Sequence, residues 1–189
     1  MTASAIPGVR YLRHVRHEDI RGAFREIWRA SAFPDLGPDE RFVQANLSTS
    51  AKGVLRGLHF HRRQLDFWTV EGGVAFVALV DLRGLMDGSA DRPIVETRTL
   101  RGDDAVVIPA GVAHGFLALE ALDLLYLVTN EYDGTDELGF AWDDPAAGVP
   151  WPRVETPDGL PIVSDRDRSN PSLADAVARL GSRRARDGA

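Results

Sequence analysis

Histidine is scarce in this chain, five among 189 residues, yet His59 and His61 lie two positions apart, with Asp66 shortly after. A third imidazole, His114, sits in Pro109-Ala110-Gly111-Val112-Ala113-His114-Gly115-Phe116. Imidazole titrates near neutral pH, so such a residue can move a proton or, unprotonated, bind a metal. Three imidazoles and a carboxylate facing one cavity suit Fe(II), Mn(II), Ni(II) or Zn(II). Positions 59 and 61 share a face if they lie on a strand, whereas Asp66 needs a turn or bulge to join them. The chain has no cysteine, which excludes disulfides, thiolate metal sites and cysteine nucleophiles.

The elements that must position these groups read as strands. From Phe42 to Val128 the chain is a series of short apolar, β-branched and aromatic runs broken by Gly, Asp and Pro, the pattern of an all-β sandwich or barrel. Strands are expected at Phe67–Val70, Val74–Leu82, Ile94–Leu100, Ala105–Ile108 and Leu122–Thr129. Val74–Val80 is almost wholly apolar, so that strand should be central and covered on both faces. Turns are expected at Glu71-Gly72-Gly73, Arg101-Gly102-Asp103-Asp104 and Pro109-Ala110-Gly111. Helical periodicity occurs at Ser172–Leu180, where Leu173, Ala176, Val177 and Leu180 share a face. The stretch from Trp142 to Pro161 reads as an ordered excursion, because its two tryptophans are costly to leave in water.

At this length one domain is expected, over residues 1–181, with the Arg-rich residues 182–189 a mobile tail. A formal net charge of −6 argues against nucleic-acid binding, so an acidic ligand would need a local basic cluster. Met1–Arg13 lack the apolar run of a signal peptide, and no apolar stretch approaches the roughly 20 residues that span a bilayer. The expectation is a cytoplasmic protein with no membrane partner.

Gly53-Val54-Leu55-Arg56-Gly57-Leu58-His59-Phe60 and the His114 block resemble the two signature blocks of dTDP-4-dehydrorhamnose 3,5-epimerases. The resemblance runs on through Asp19-Ile20-Arg21-Gly22-Ala23-Phe24, Val43-Gln44-Ala45-Asn46, Val80-Asp81-Leu82-Arg83, Trp142-Asp143-Asp144-Pro145 and Ser164-Asp165-Arg166-Asp167, roughly residues 19 to 175. It implies a cupin-type jelly-roll barrel with a short C-terminal helix, a homodimer, and a dTDP-linked 4-keto-6-deoxy sugar as substrate. It further implies that His59 removes a proton beside the ketone, that Asp167 orients His59, and that Tyr126 returns a proton on the opposite face. Arg21 and Arg56 match positions that contact the diphosphate, Gln44 and Asn46 positions that support the ligand, and Tyr132 a second tyrosine at the nucleotide end. His114 would line the sugar pocket. No cofactor is needed on this reading.

The chain departs from that family where a glutamine, a lysine and an aspartate are usual, carrying His61, Asp66 and Val77 instead. The spacing His59-x-His61, Asp66 and Gly73 resembles the first metal motif of cupins, with Asp in place of Glu. The alternative expectation is therefore a metal-dependent cupin enzyme with His59, His61, Asp66 and His114 as ligands.

Overall fold

The computed structural model describes residues 3–33, 36 and 41–179. Leu180, the last residue of the expected helix, and the expected tail 182–189 lie outside the described residues.

The strands are β1 (Arg10–Arg13), β2 (Arg16–Asp19), β3 (Gly22–Arg25), β4 (Gln44–Ser50), β5 (Leu55–Phe60), β6 (Asp66–Gly72), β7 (Val74–Asp81), β8 (Ile94–Arg101), β9 (Asp104–Ile108), β10 (Val112–Ala118), β11 (Leu122–Val128) and β12 (Leu138–Gly139). They form two five-stranded antiparallel sheets, ordered β1-β9-β6-β11-β4 and β12-β5-β10-β7-β8, and a separate β2-β3 hairpin. Helices are short: α1 (Arg83–Asp87), α2 (Asp165–Arg168) and α3 (173–179). This is the expected all-β jelly-roll with a short helix near its end.

Period-2 alternation explains how the sheets close on each other. Trp68 and Val70 of β6, Leu122 and Leu124 around β11, and Ala75, Val77 and Leu79 of β7 meet in one core between the sheets. The opposite residues of β7, Ala78 and Val80, pack with Phe140, Ala147, Leu173 and Ala176 in a second core beneath α3. That strand is covered on both faces and flanked by β10 and β8, as its apolar run predicts. Phe67, Val107 and Phe33 make a third cluster behind the other sheet. The 142–161 excursion is tied down by Trp151, whose indole N–H donates to the Trp142 carbonyl at 2.8 Å and whose ring packs on Phe76. No helix among the described residues is long and apolar enough to cross a membrane.

Two regions break the inside-out rule. Strand β4 turns its polar residues Gln44, Asn46 and Ser48 towards the barrel and leaves Leu47 64% exposed. The β2-β3 hairpin buries none of its residues and leaves Phe24 and Ile20 in the open.

Candidate active site

Strand register assembles the site. On one sheet Tyr126 of β11 stands between Asn46 of β4 and Trp68 of β6, and the next inward row is Gln44, Val128 and Asp66. On the other sheet His59 of β5 pairs with His114 of β10 on one side and Gly139 of β12 on the other. The inward residues of both sheets line a cavity of about 870 Å³ that includes Gln44, Asn46, Arg56, His59, His61, Asp66, Trp68, His114, Tyr126, Tyr132, Glu137 and Asp167.

Close strand approach sets His59 in place. Gly57 has φ +128°, and a Cβ there would stand 2.6 Å from the Gly115 Cα. Only glycine tolerates both that backbone and that contact. His59 then reaches α2, where Asp167 is 4% exposed and accepts from His59 Nε2 at 2.6 Å. A carboxylate only accepts, so Nε2 carries the proton and Nδ1 holds the lone pair. Asp167 is fixed because Ser164 caps α2, its Oγ accepting from the Asp167 backbone N–H at 3.1 Å. Burial alone would raise the Asp167 pKa, but the hydrogen bond and charge of His59, with the Gly57 N–H and Ser164, hold it below the usual carboxylate range.

Glu137 completes the surroundings of His59. Its Oε1 lies 3.9 Å from His59 Nδ1, and its other oxygen accepts from Arg166 Nη1 at 2.8 Å. Tyr126 is half-buried; desolvation, reinforced by Asp66 and Glu137, raises its pKa against the opposing pull of Arg56. It therefore keeps its proton at neutral pH and can give one up only to a strong base.

Gln44 and Asn46 are linked, Gln44 Nε2 donating to Asn46 Oδ1 at 2.9 Å, while Gln44 Oε1 accepts from the Tyr132 backbone N–H at 2.9 Å. Arg56 is held by Ser50, its Nε donating to the hydroxyl at 3.2 Å. Among the described residues no carboxylate pairs with it. Arg21 differs: it lies at the turn of the exposed β2-β3 hairpin, outside the cavity of its own chain, and pairs with Asp19. Within one chain it does not meet Arg56: the hairpin is tied to the barrel at its base, where Arg25 pairs with Glu71 and Asp103, and its turn stays exposed.

The expected four-ligand metal set is also corrected. His61, Asp66 and His114 bring their ligating atoms within 4.8 Å of one another, but His59 is not among them, its Nε2 being committed to Asp167. Asp66 is 3% exposed and accepts from Gln64 Nε2 at 2.7 Å and Trp68 Nε1 at 3.2 Å. The arginines Arg62 and Arg63 pair with Asp136 instead. Burial pushes the His114 pKa down to about 4, against the opposing charge of Asp66, so its ring is neutral at pH 7.

Sequence patterns miss several lining residues. Trp68 lies within the expected strand Phe67–Val70, but its inward face follows only from the observed start of β6 at Asp66. Glu137 is not legible, because β12 has only two residues and no periodicity of its own.

The profile of the dTDP-4-dehydrorhamnose 3,5-epimerase family matches residues 3–175. The chain belongs to this family. A relative of that name from Methanothermobacter thermautotrophicus is 39% identical over 156 residues, which cover 81% of this chain and 83% of the relative. The same fold appears in the dTDP-6-deoxy-D-glucose-3,5-epimerase of Legionella pneumophila, solved in complex with dTDP-4-keto-L-rhamnose. The TM-score is 0.80 at 31% identity, covering 94% of each chain. A 3'-monoepimerase from Streptomyces bikiniensis, solved with dTDP-quinovose, gives a TM-score of 0.78 at 29% identity, covering 96% of this chain and 91% of that one.

Proposed function

We propose that this chain epimerises a dTDP-linked 4-keto-6-deoxy sugar by proton transfer between His59 and Tyr126. The observation that carries this reading is the His59–Asp167 hydrogen bond inside a cavity whose far wall holds Tyr126. A proton beside a ketone is acidified because the carbanion left behind delocalises onto the ketone oxygen as an enolate. His59 Nδ1, its lone pair fixed by the bond from Nε2 to Asp167, takes that proton, and the imidazolium formed lies between two carboxylates, Asp167 and Glu137. Tyr126, on the opposing sheet, delivers a proton to the other face of the enolate, which inverts the carbon. On this reading the two side chains themselves move both protons.

Arg56 is the guanidinium at the cavity suited to a diphosphate, because its planar fork matches phosphate oxygens. Gln44, Asn46 and Tyr132 support the same ligand at the rim, and His114 lines the sugar end. The functional unit on this reading is a homodimer. An exposed hairpin carrying Phe24 and Ile20, and a β4 edge strand with Leu47 outside, are surfaces that a second copy would cover. In that dimer the hairpin delivers Arg21 to the partner's cavity, which reconciles its family position with its place in the single chain.

The test is incubation of dTDP-4-keto-6-deoxyglucose with the protein in D2O, followed by proton NMR. Deuterium should enter beside the ketone with wild-type protein and not with His59→Asn. Equal exchange in both would overturn the assignment of His59.

A further inference from the structure

The two imidazoles that face Asp66 are each held by the ring nitrogen that points away from it. His61 Nδ1 lies 2.8 Å from the Asp136 carbonyl oxygen, and His114 Nδ1 lies 3.1 Å from the Val112 carbonyl oxygen. A carbonyl only accepts, so both Nδ1 atoms carry hydrogen and both Nε2 atoms of the neutral rings present bare lone pairs. The rings stack with centroids 5.6 Å apart and 29° between planes. His114 Nε2 stands 3.6 Å from Asp66 Oδ2, beyond hydrogen-bond distance. With both rings in the neutral form, two lone pairs and a carboxylate thus converge, His114 and Asp66 buried and His61 half-buried. A cation would complete that donor set.

We propose that His61, Asp66 and His114 form a two-histidine, one-carboxylate site for a single divalent transition-metal ion. Donation of the far ring N–H to a backbone carbonyl is how metal-bound histidines are ordinarily oriented. Asp66 is braced in the same way by Gln64 and Trp68. Three ligands of this kind suit Fe(II), Mn(II), Ni(II) or Zn(II). Bonds of about 2.0–2.2 Å require the three ligating atoms to draw somewhat closer than their present spacing. His59 is outside the set, so base and metal are separate groups on neighbouring walls. The three residues line the cavity shared with His59 and Tyr126. In a consequence that rests on the epimerase reading, an ion held by them would supply Lewis-acid polarisation of a ketone oxygen.

The experiment uses the full chain, stripped with a chelator, dialysed and titrated with Co(II) by calorimetry and by visible absorption. Wild-type protein should bind one equivalent with a d–d spectrum typical of nitrogen and oxygen ligation. Asp66→Asn and His61→Gln, which preserve shape, should each weaken binding by more than the roughly 10–100-fold that follows loss of an outer partner alone. His59→Asn should bind as wild type does. Zn(II) should raise the melting temperature of wild type and of neither ligand variant, which separates lost ligation from a damaged fold. No binding by wild type, or unchanged binding in both ligand variants, overturns the proposal, as does equal loss in His59→Asn. Deuterium exchange into the keto sugar by unstripped wild type against His59→Asn reports separately on the epimerase reading, so either can fail alone.

Discussion

Glu137 stands 3.9 Å from Nδ1 of His59, across the imidazole from the Asp167 that grips Nε2. On the proposed mechanism this ring becomes cationic during turnover, flanked by a carboxylate on each side, one bonded and one at a distance. Glu137→Gln removes the distant charge and keeps the shape. Turnover should fall about tenfold, equivalent to about 1.4 kcal/mol of transition-state stabilisation, with dTDP affinity unchanged by calorimetry. An unaltered kcat would show that Glu137 serves only Arg166.

Tyr126→Phe should separate the two proton transfers. His59 remains competent to remove the proton and return a deuteron to the same face, so exchange in D2O should persist while inversion is lost. NMR of the recovered sugar distinguishes the two. Inversion at the wild-type rate would leave Tyr126 a packing residue.

The Asp167 carboxyl titrates below its ordinary value of about 3.9 in the folded chain. A depressed folded pKa gives stability that is present above the unfolded value and lost as the pH falls through the folded one. Wild type should lose stability below about pH 4 more steeply than Asp167→Asn in urea titrations across the acid range. Parallel curves would contradict the pairing with His59.

If Arg21 acts across a homodimer, defects in two different chains should complement. Arg21→Ala and His59→Asn chains, inactive or weak apart, should recover about a quarter of wild-type activity when unfolded and refolded together, because half the dimers are mixed and each holds one intact site. No recovery, with mixed dimers confirmed by mass spectrometry, would show that both residues act in the same cavity.

Gly57→Ala should cost about 3 kcal/mol or more, since the new Cβ would meet the Gly115 backbone at 2.6 Å with φ at +128°. Chemical denaturation measures this directly. A loss below about 1 kcal/mol would mean that β5 and β10 separate easily.

The fold was largely written in the spacing of apolar residues. Val74–Asp81 and Leu122–Val128 carry continuous or alternating apolar runs whose burial leaves little choice of partner. Strands β1 to β3 and β12 were not legible, because they are four residues or fewer and depend on register with distant segments or stand exposed. Of the site, His59, Tyr126 and Asp167 were visible through their motifs. Where Arg21 lies was not legible, because a motif conveys position along the sequence and not the exposed hairpin that carries it. His59 was wrongly grouped with the possible ligands because strand alternation puts residues 59 and 61 on one face, whereas Asp167, more than a hundred residues away, turns the ring of His59 to itself.

That distance along the chain imposes an order in time. Every strand of the barrel up to β11 is complete at Val128, and a nascent chain can begin to pair those strands while the remainder is still being made. His59 is then already inside, but the clasp formed by Ser164 and Asp167, anchored through the Val54–Ile162 bridge, has yet to be synthesised. The base becomes a base last. A chain that stopped in the exposed loop between Thr156 and Leu160 would lose the Asp167 that fixes the tautomer of His59, and with it Leu173 and Ala176 of the second core.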